Sequence, residues 1–247
     1  KFCPHYIFNL AAHFANQNSV DFPLSDLKTN VIGNINLLKI SKKLSNLKKI
    51  VFTSSSCLYG SSEYMSESDF LYPSETPYAI NKFAGELYTK YYSHQFNIPT
   101  INLRLFNSYG PYELPGKYRN VIPNFIEKAI NGSEILITGN GEETRDFTYV
   151  EDICNGLLLA CKSEITNGDV FNLGSSNPIT INELAKKIIL ISNSKSKIKY
   201  VDRRIWDTVL NRNANISKAK KAFGYNPIVD FDKGLEKTYN WLKKEIY

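Results

Sequence analysis

The sequence predicts an α/β fold in which helices alternate with the strands of a parallel sheet, followed by a smaller α/β lobe. Two observations lead there. Short β-branched runs alternate with stretches of helical periodicity as far as Gly110, and strands separated by helices run parallel. The texture then loosens at Pro115-Gly116-Lys117-Tyr118, where the second lobe is expected to begin.

In chain order, Tyr6-Ile7-Phe8-Asn9-Leu10-Ala11-Ala12 is an apolar run that reads as a buried strand. Between Leu24 and Leu44, the residues Leu27, Val31, Ile35, Leu38 and Ser41 fall three or four apart, which predicts one amphipathic helix. Lys49-Ile50-Val51-Phe52-Thr53 reads as a strand, Tyr78 to Phe96 as a helix, and Thr100-Ile101-Asn102-Leu103-Arg104 as a strand. A helix from Val121 should stop near Gly132, because a residue without Cβ suits a C-cap. Gly139-Asn140-Gly141 reads as a turn between Ile135-Leu136-Ile137 and Phe147-Thr148-Tyr149-Val150, and Val170-Phe171-Asn172-Leu173 as a further strand. Thr180 with Glu183 forms a capping box for a helix through Ile191, and the last helix, Phe231 to Glu245, aligns Leu235, Tyr239 and Leu242.

Composition narrows the function classes. With 43% hydrophobic and 22% charged residues the balance is that of a globular protein. No apolar run approaches the ~18 residues of a membrane span, and no secretory signal opens the chain, so a cytoplasmic location with no membrane partner is expected. The four cysteines form no Cys-x-x-Cys pattern and the three histidines no metal-ligand spacing, which predicts reduced thiols and no metal. The net charge of +6 comes from lysines scattered over solvated helix faces, a distribution that argues against nucleic acid and suits a basic cleft for a diphosphate equally well.

Tyr78 and Lys82 lie four apart on a predicted helix, so both side chains leave the same face. An ammonium beside a phenol favours the phenolate, which lets a tyrosine act as a general base. Alone, the pair also fits an interfacial tyrosine beside a solvated lysine. The hydroxyl cluster Thr53-Ser54-Ser55-Ser56 sits at the carboxyl end of a predicted strand, where open parallel sheets bind ligands.

Ser54-Ser55-Ser56-x-x-Tyr59-Gly60, Tyr78-x-x-x-Lys82 and Leu103-Arg104-Leu105-Phe106-Asn107-x-Tyr109-Gly110-Pro111 occur in this order. Extended by Arg145-Asp146-Phe147-Thr148-Tyr149-Val150-x-Asp152, they resemble the extended short-chain dehydrogenase/reductases, in particular the NAD-dependent epimerases and dehydratases related to UDP-galactose 4-epimerase. The resemblance implies a Rossmann-like parallel sheet, its first strands missing, over 1–110 and 143–178. A nucleotide-sugar lobe would occupy 111–142 and 179–247. It implies Tyr78 as catalytic base, Ser55 as its hydroxyl partner, and Lys82 bonding the nicotinamide ribose. Leu10, Ala11, Ala12, Asn30 and Thr53 would wall the NAD site. Asn107, Asn120 and Arg145 would contact the diphosphate of a nucleotide sugar, and Arg204 and Asp207 its second phosphate and ribose. It also implies a homodimer through the helices near Leu24 to Leu44 and Tyr78 to Phe96.

The implied chemistry begins with Tyr78 taking the 4-hydroxyl proton of the sugar as hydride leaves C4 for NAD, giving a 4-keto sugar. Dehydratases carry an Asp-Glu pair where this sequence has Ser56 and Cys57, so elimination lacks its acid. Epimerases acting at C3 or C5 carry a cysteine at the position of Cys57 and a second proton donor at that of Asn120, which cannot exchange a proton. C4 epimerisation of a UDP-hexose is therefore favoured, with Cys57 as a packing residue and Ser56 and Cys57 as possible auxiliaries. A 4,6-dehydratase, a C3/C5 epimerase and a non-catalytic sugar-nucleotide-binding fragment are the alternatives. The family's Gly-x-x-Gly-x-x-Gly turn is not found, since Gly33, Gly60 and Gly85 belong to no such fingerprint. If two βαβ units are missing, roughly 60 residues or more precede Lys1, and the sequence is expected to be part of a longer reading frame.

Overall fold

A computed structural model describes residues 3–60 and 64–246. The first half runs β1 (Tyr6–Asn9), α1 (Asn16–Asp21), α2 (Pro23–Leu27), a π-turn (Lys28–Gly33), α3 (Asn34–Ser41), β2 (Lys49–Ser55), α4 (Pro77–Phe96), β3 (Thr100–Leu105) and β4 (Ser108–Tyr109). The second runs α5 (Val121–Ile130), β5 (Ile135–Thr138), β6 (Thr144–Asp146), β7 (Thr148–Tyr149), α6 (Val150–Lys162) and β8 (Asn167–Leu173). It ends with β9 (Pro178–Thr180), α7 (Ile181–Ser192), β10 (Ile198–Val201), α8 (Ser217–Phe223) and α9 (Phe231–Ile246).

The main sheet has the order β1-β2-β3-β8, with every neighbouring pair parallel. Side chains alternate across a strand, and that alternation divides the covering helices. Val51, Ile101 and Leu103 pack against Ile153, Leu157 and Ala160 of α6. Phe52, one residue on from Val51, meets α4 on the other face, where a Cβ on Gly85 would lie 2.5 Å from its ring. Glycine at 85 is thus required by the closeness of helix and sheet. A second core joins Ile122, Phe125 and Ile126 of α5 to Ile135, Leu184, Ile188, Leu235 and Leu242, and β10 pairs in parallel with β5 beside it.

Several expectations need correction. The strand at Tyr6 is shorter than the apolar run and is the edge of the described sheet; Tyr6 and Phe8 are exposed rather than buried. The helix expected from Leu24 to Leu44 is interrupted by the π-turn, and its inward face carries Asp26, Asn30 and Asn34 beside Val31 and Leu38, while Leu27 is exposed. The extra residue in a π-turn rotates the following helix, so a strict 3.6-residue stripe cannot describe it. Val150, expected to end a strand, instead opens α6, and α8 and β10 were not anticipated. Gly132 follows α5 with φ of 65°, and the Thr180 Oγ1 accepts from Glu183 N at 3.0 Å, as the capping residues imply.

Candidate active site

The reactive end of the site is built where β2 finishes and α4 begins. Thr76 caps α4 by accepting from Ala79 N at 3.3 Å, and Pro77 occupies the first turn, where its missing N–H costs nothing. Tyr78 N donates to Ser19 Oγ at 3.0 Å, and the Thr76 hydroxyl donates to Asn16 Oδ1 at 2.9 Å, so α1 fixes the start of α4. Tyr78 and Lys82 then project over the carboxyl end of β2. Thr53, Ser54, Ser55, Ser56, Cys57, Tyr78 and Lys82 line one open cleft of about 370 Å³. Ser55 stands by the Tyr78 phenol in this cleft, and its Oγ accepts from Cys57 N at 3.2 Å.

The electrostatics differ from the simple pairing of phenol and ammonium. Lys82 Nζ donates to Thr53 O at 2.7 Å and stands 5.8 Å from the Tyr78 ring centroid. Burial draws the Lys82 ammonium down to a pKa of about 8, despite the charges of Asp26, Cys57 and Glu86. Burial first, and then the Cys57 charge, push the Tyr78 phenol up, with Ser55 offsetting part of the rise. The expected lowering of Tyr78 by Lys82 is therefore absent here, because desolvation of the phenolate outweighs a charge several ångströms away.

Of the residues expected to wall the cofactor, Leu10, Ala12 and Thr53 line this cleft, and Ala11 and Asn30 do not. Asn30 lies behind it, clamping the backbone of His13: its Oδ1 accepts from His13 N at 3.0 Å and its Nδ2 donates to His13 O at 2.9 Å. Asn30 also donates to Asp26 Oδ1 at 2.9 Å, as does Asn81 at 2.7 Å. Asp26 is a fully buried carboxylate beneath Tyr78 and Lys82 that the sequence reading missed. Its only signal was the i, i+4, i+8 spacing of Asp26, Asn30 and Asn34, a polar stripe on a helix expected to bury an apolar one.

A second cleft of about 290 Å³ collects all five residues expected to bind substrate: Asn107, Asn120, Arg145, Arg204 and Asp207. It meets the first at Asn107, Arg119 and Asn120. Arg145 lies 3.5 Å from Asp207, and burial followed by repulsion from Arg212 pushes its guanidinium down to a pKa of about 10. Arg204 stacks near Trp206, 5.6 Å from its ring, and the ion pair of Asp207 is made with Arg145. Arg212 is the second residue the sequence reading missed; its Nη1 donates to Cys57 Sγ at 3.2 Å. Burial raises the Cys57 thiol pKa, but the Arg212 charge and the hydrogen bonds to the sulfur outweigh it and the net shift is down. Cys57 is thus a buried, hydrogen-bonded thiol of the cleft as well as a packed one.

A tyrosine, serine and buried lysine at the carboxyl end of a parallel sheet, beside an arginine- and asparagine-lined cleft, define an oxidoreductase-type site adapted to a phosphorylated ligand. The chain belongs to the NAD dependent epimerase/dehydratase family, which matches residues 1–174. It is 31% identical over 249 residues to a UDP-N-acetyl-α-D-glucosaminuronate decarboxylase of Bacillus cytotoxicus, covering 96% of this chain and 76% of the relative. Its structure superposes with a TM-score of 0.95 on an epimerase of Methanothermobacter thermautotrophicus, at 41% identity, covering 98% of this chain and 73% of that one. With UDP-glucose 4-epimerase of Thermotoga maritima, solved with UDP-glucose, the TM-score is 0.93 at 32% identity, covering 99% and 79%.

Proposed function

We propose that the protein is an NAD-dependent nucleotide-sugar epimerase that inverts C4 of a UDP-hexose. The observation that carries this reading is the meeting of two clefts, one bearing Tyr78, Ser55 and Lys82 and the other Asn107, Asn120, Arg145, Arg204 and Asp207. The second suits a diphosphate, because arginine presents a planar fork that matches phosphate oxygens. The first suits the sugar.

Lys82 fits a nicotinamide ribose. Among the described residues its ammonium has one hydrogen-bond partner, Thr53 O, which leaves two N–H donors for ribose hydroxyls. Leu10, Ala12 and Thr53 would flank the ring. NAD, when bound, supplies the hydride acceptor and donor. Tyr78 takes the proton of the 4-hydroxyl and later returns it, while Ser55 holds that hydroxyl in line. The relative named as acting on UDP-glucose supports the uridine diphosphate. Elimination of water is disfavoured, because no Asp, Glu or His lines the reactive cleft among the described residues.

Residues 1–110 and 143–178 serve as the cofactor half, and 111–142 and 179–247 as the nucleotide-sugar half. The exposed side chains of Ile80, Leu87 and Tyr91 along α4 support a homodimer through that helix. No helix of the described residues is long and apolar enough to cross a membrane. The test is interconversion of UDP-glucose and UDP-galactose. Tyr78→Phe should lower turnover by about 10²–10⁴ and leave UDP affinity intact, since the phenol contributes proton transfer and not phosphate binding. Unchanged turnover would remove Tyr78 from the mechanism.

A further inference from the structure

The helix α1 is six residues long and has no side-chain cap, so its neighbours must hold it in place. Two of its faces do different things. Asn16 and Ser19, three apart, seat the start of α4: Ser19 Oγ accepts from Tyr78 N and Asn16 Oδ1 from the Thr76 hydroxyl. Gln17 and Asp21, four apart, fall on the opposite face. There Trp206 Nε1 donates to Gln17 Oε1 at 2.9 Å, and the Tyr118 hydroxyl donates to Asp21 Oδ2 at 2.8 Å. Gln17 Nε2 donates to Asp21 Oδ1 at 2.8 Å, which joins the two contacts into one clamp.

The loops that reach this clamp are those of the second cleft. Trp206 stands between Arg204 and Asp207, and Tyr118 between Lys117 and Arg119; all four of these flanking side chains line the cleft assigned to the diphosphate. Arg204 also lies over the Trp206 ring, and Thr208 donates to Glu75 Oε1 at 2.7 Å in the turn that leads to α4. We propose that Gln17 is a positioning residue, through which occupation of the diphosphate cleft steadies Tyr78. A nucleotide that orders 202–208 holds Trp206 against Gln17, and α1 passes that order to the first turn of α4. Gln17 acts through α1 and touches no reacting atom.

The coupling rests on the nucleotide-sugar reading, and UDP used as the probe separates the two. Backbone hydrogen exchange over 76–82 is followed by mass spectrometry with and without UDP, and UDP binding is measured by calorimetry. In the unmodified protein UDP should slow exchange of this segment about fivefold, the worth of one hydrogen bond. Gln17→Ala should still bind UDP yet lose that protection. Trp206→Phe keeps an aromatic ring and removes the N–H, so it should do the same, and it decides the matter if Gln17→Ala does not fold. The double variant should be no worse than either single one, because both remove one bond. A helix that merely staples the fold would loosen equally with and without UDP, leaving the protection ratio unchanged in the variants. That result, or UDP binding without protection in the unmodified protein, overturns the role of Gln17 and leaves the nucleotide-sugar reading standing. Failure of the unmodified protein to bind UDP overturns both.

Discussion

Two buried arginines lie in this molecule in opposite conditions. At the carboxyl half of β3, Arg104 donates from Nε and Nη2 to the Glu86 oxygens, both at 2.9 Å, and from Nη1 to the Tyr59 hydroxyl at 2.9 Å. Tyr59 passes the chain on to Asn172 at 2.7 Å. Burial works against the Arg104 charge, and Glu86 more than offsets it, so its pKa moves up. At the cleft, Arg212 has a sulfur and an unpaired Nε–H. The first arrangement is closed, with its partners carried by α4, by the 3-10 turn after β2 and by β8, and it ties the sheet to its helix. The second is incomplete, with one buried guanidinium N–H that has no partner. Completeness of hydrogen bonding, more than burial, separates the two.

The largest effect that can break this contrast is removal of Glu86. Glu86→Ala strands the Arg104 charge in the interior and should cost about 3–5 kcal/mol of unfolding free energy, read from denaturant midpoints. Replacing both partners, Glu86→Leu with Arg104→Met, should recover most of that loss, because no uncompensated charge remains. A single variant that proved harmless would show that the network is not the closed unit described.

Lys82 tests the intermediate case, a buried cation with one protein partner. Its folded pKa of about 8 lies below the ordinary 10.5. Between those values the unfolded chain binds more protons, so stability contributed through this group rises with pH from about 8 to about 10.5. Below that window the penalty is full. Lys82→Met should therefore raise stability near neutral pH by an amount on the order of 3 kcal/mol while abolishing epimerisation. Thermal melts from pH 7 to pH 10.5 would show the gain shrinking as pH rises; a constant gain would assign it to packing instead.

The contrast also explains what was legible in the sequence. The strands through Val51 and Ile101 announce themselves as apolar β-branched runs, because they are buried in the core, whereas the helix from Tyr78 buries the mostly polar and small residues Ala79, Asn81, Lys82, Gly85, Glu86, Thr89 and Ser93. The helix after Pro23 was misread because its inward face is made of Asp26, Asn30 and Asn34, whose partners come from distant segments. In the same way Tyr78, Ser55 and Lys82 belong to local motifs and were found together. Arg212 sits in Asn211-Arg212-Asn213, where nothing local distinguishes it, and only the 155-residue separation closed by the fold brings it to Cys57.

The smallest effect, and the one that sharpens the comparison most, is the stability of Arg212→Met. Removing Arg104 or Glu86 leaves a partner that stays charged under ordinary conditions, whereas the partner of Arg212 is a thiol that can take up a proton and become neutral. The expected cost is therefore about 1 kcal/mol, the net worth of one hydrogen bond, against several for the Arg104 pair. The thiol itself reports the change. With Arg212 in place the Cys57 pKa lies below its ordinary value, so the pair stabilises the fold at alkaline pH and loses that contribution as pH falls through the Cys57 pKa. The thiolate absorbance of the folded protein, followed from pH 6 to pH 10 before and after Arg212→Met, should show one thiol ionising at higher pH in the variant. A loss of several kcal/mol without any shift in thiol titration would place Arg212 among the closed structural groups, beside Arg104.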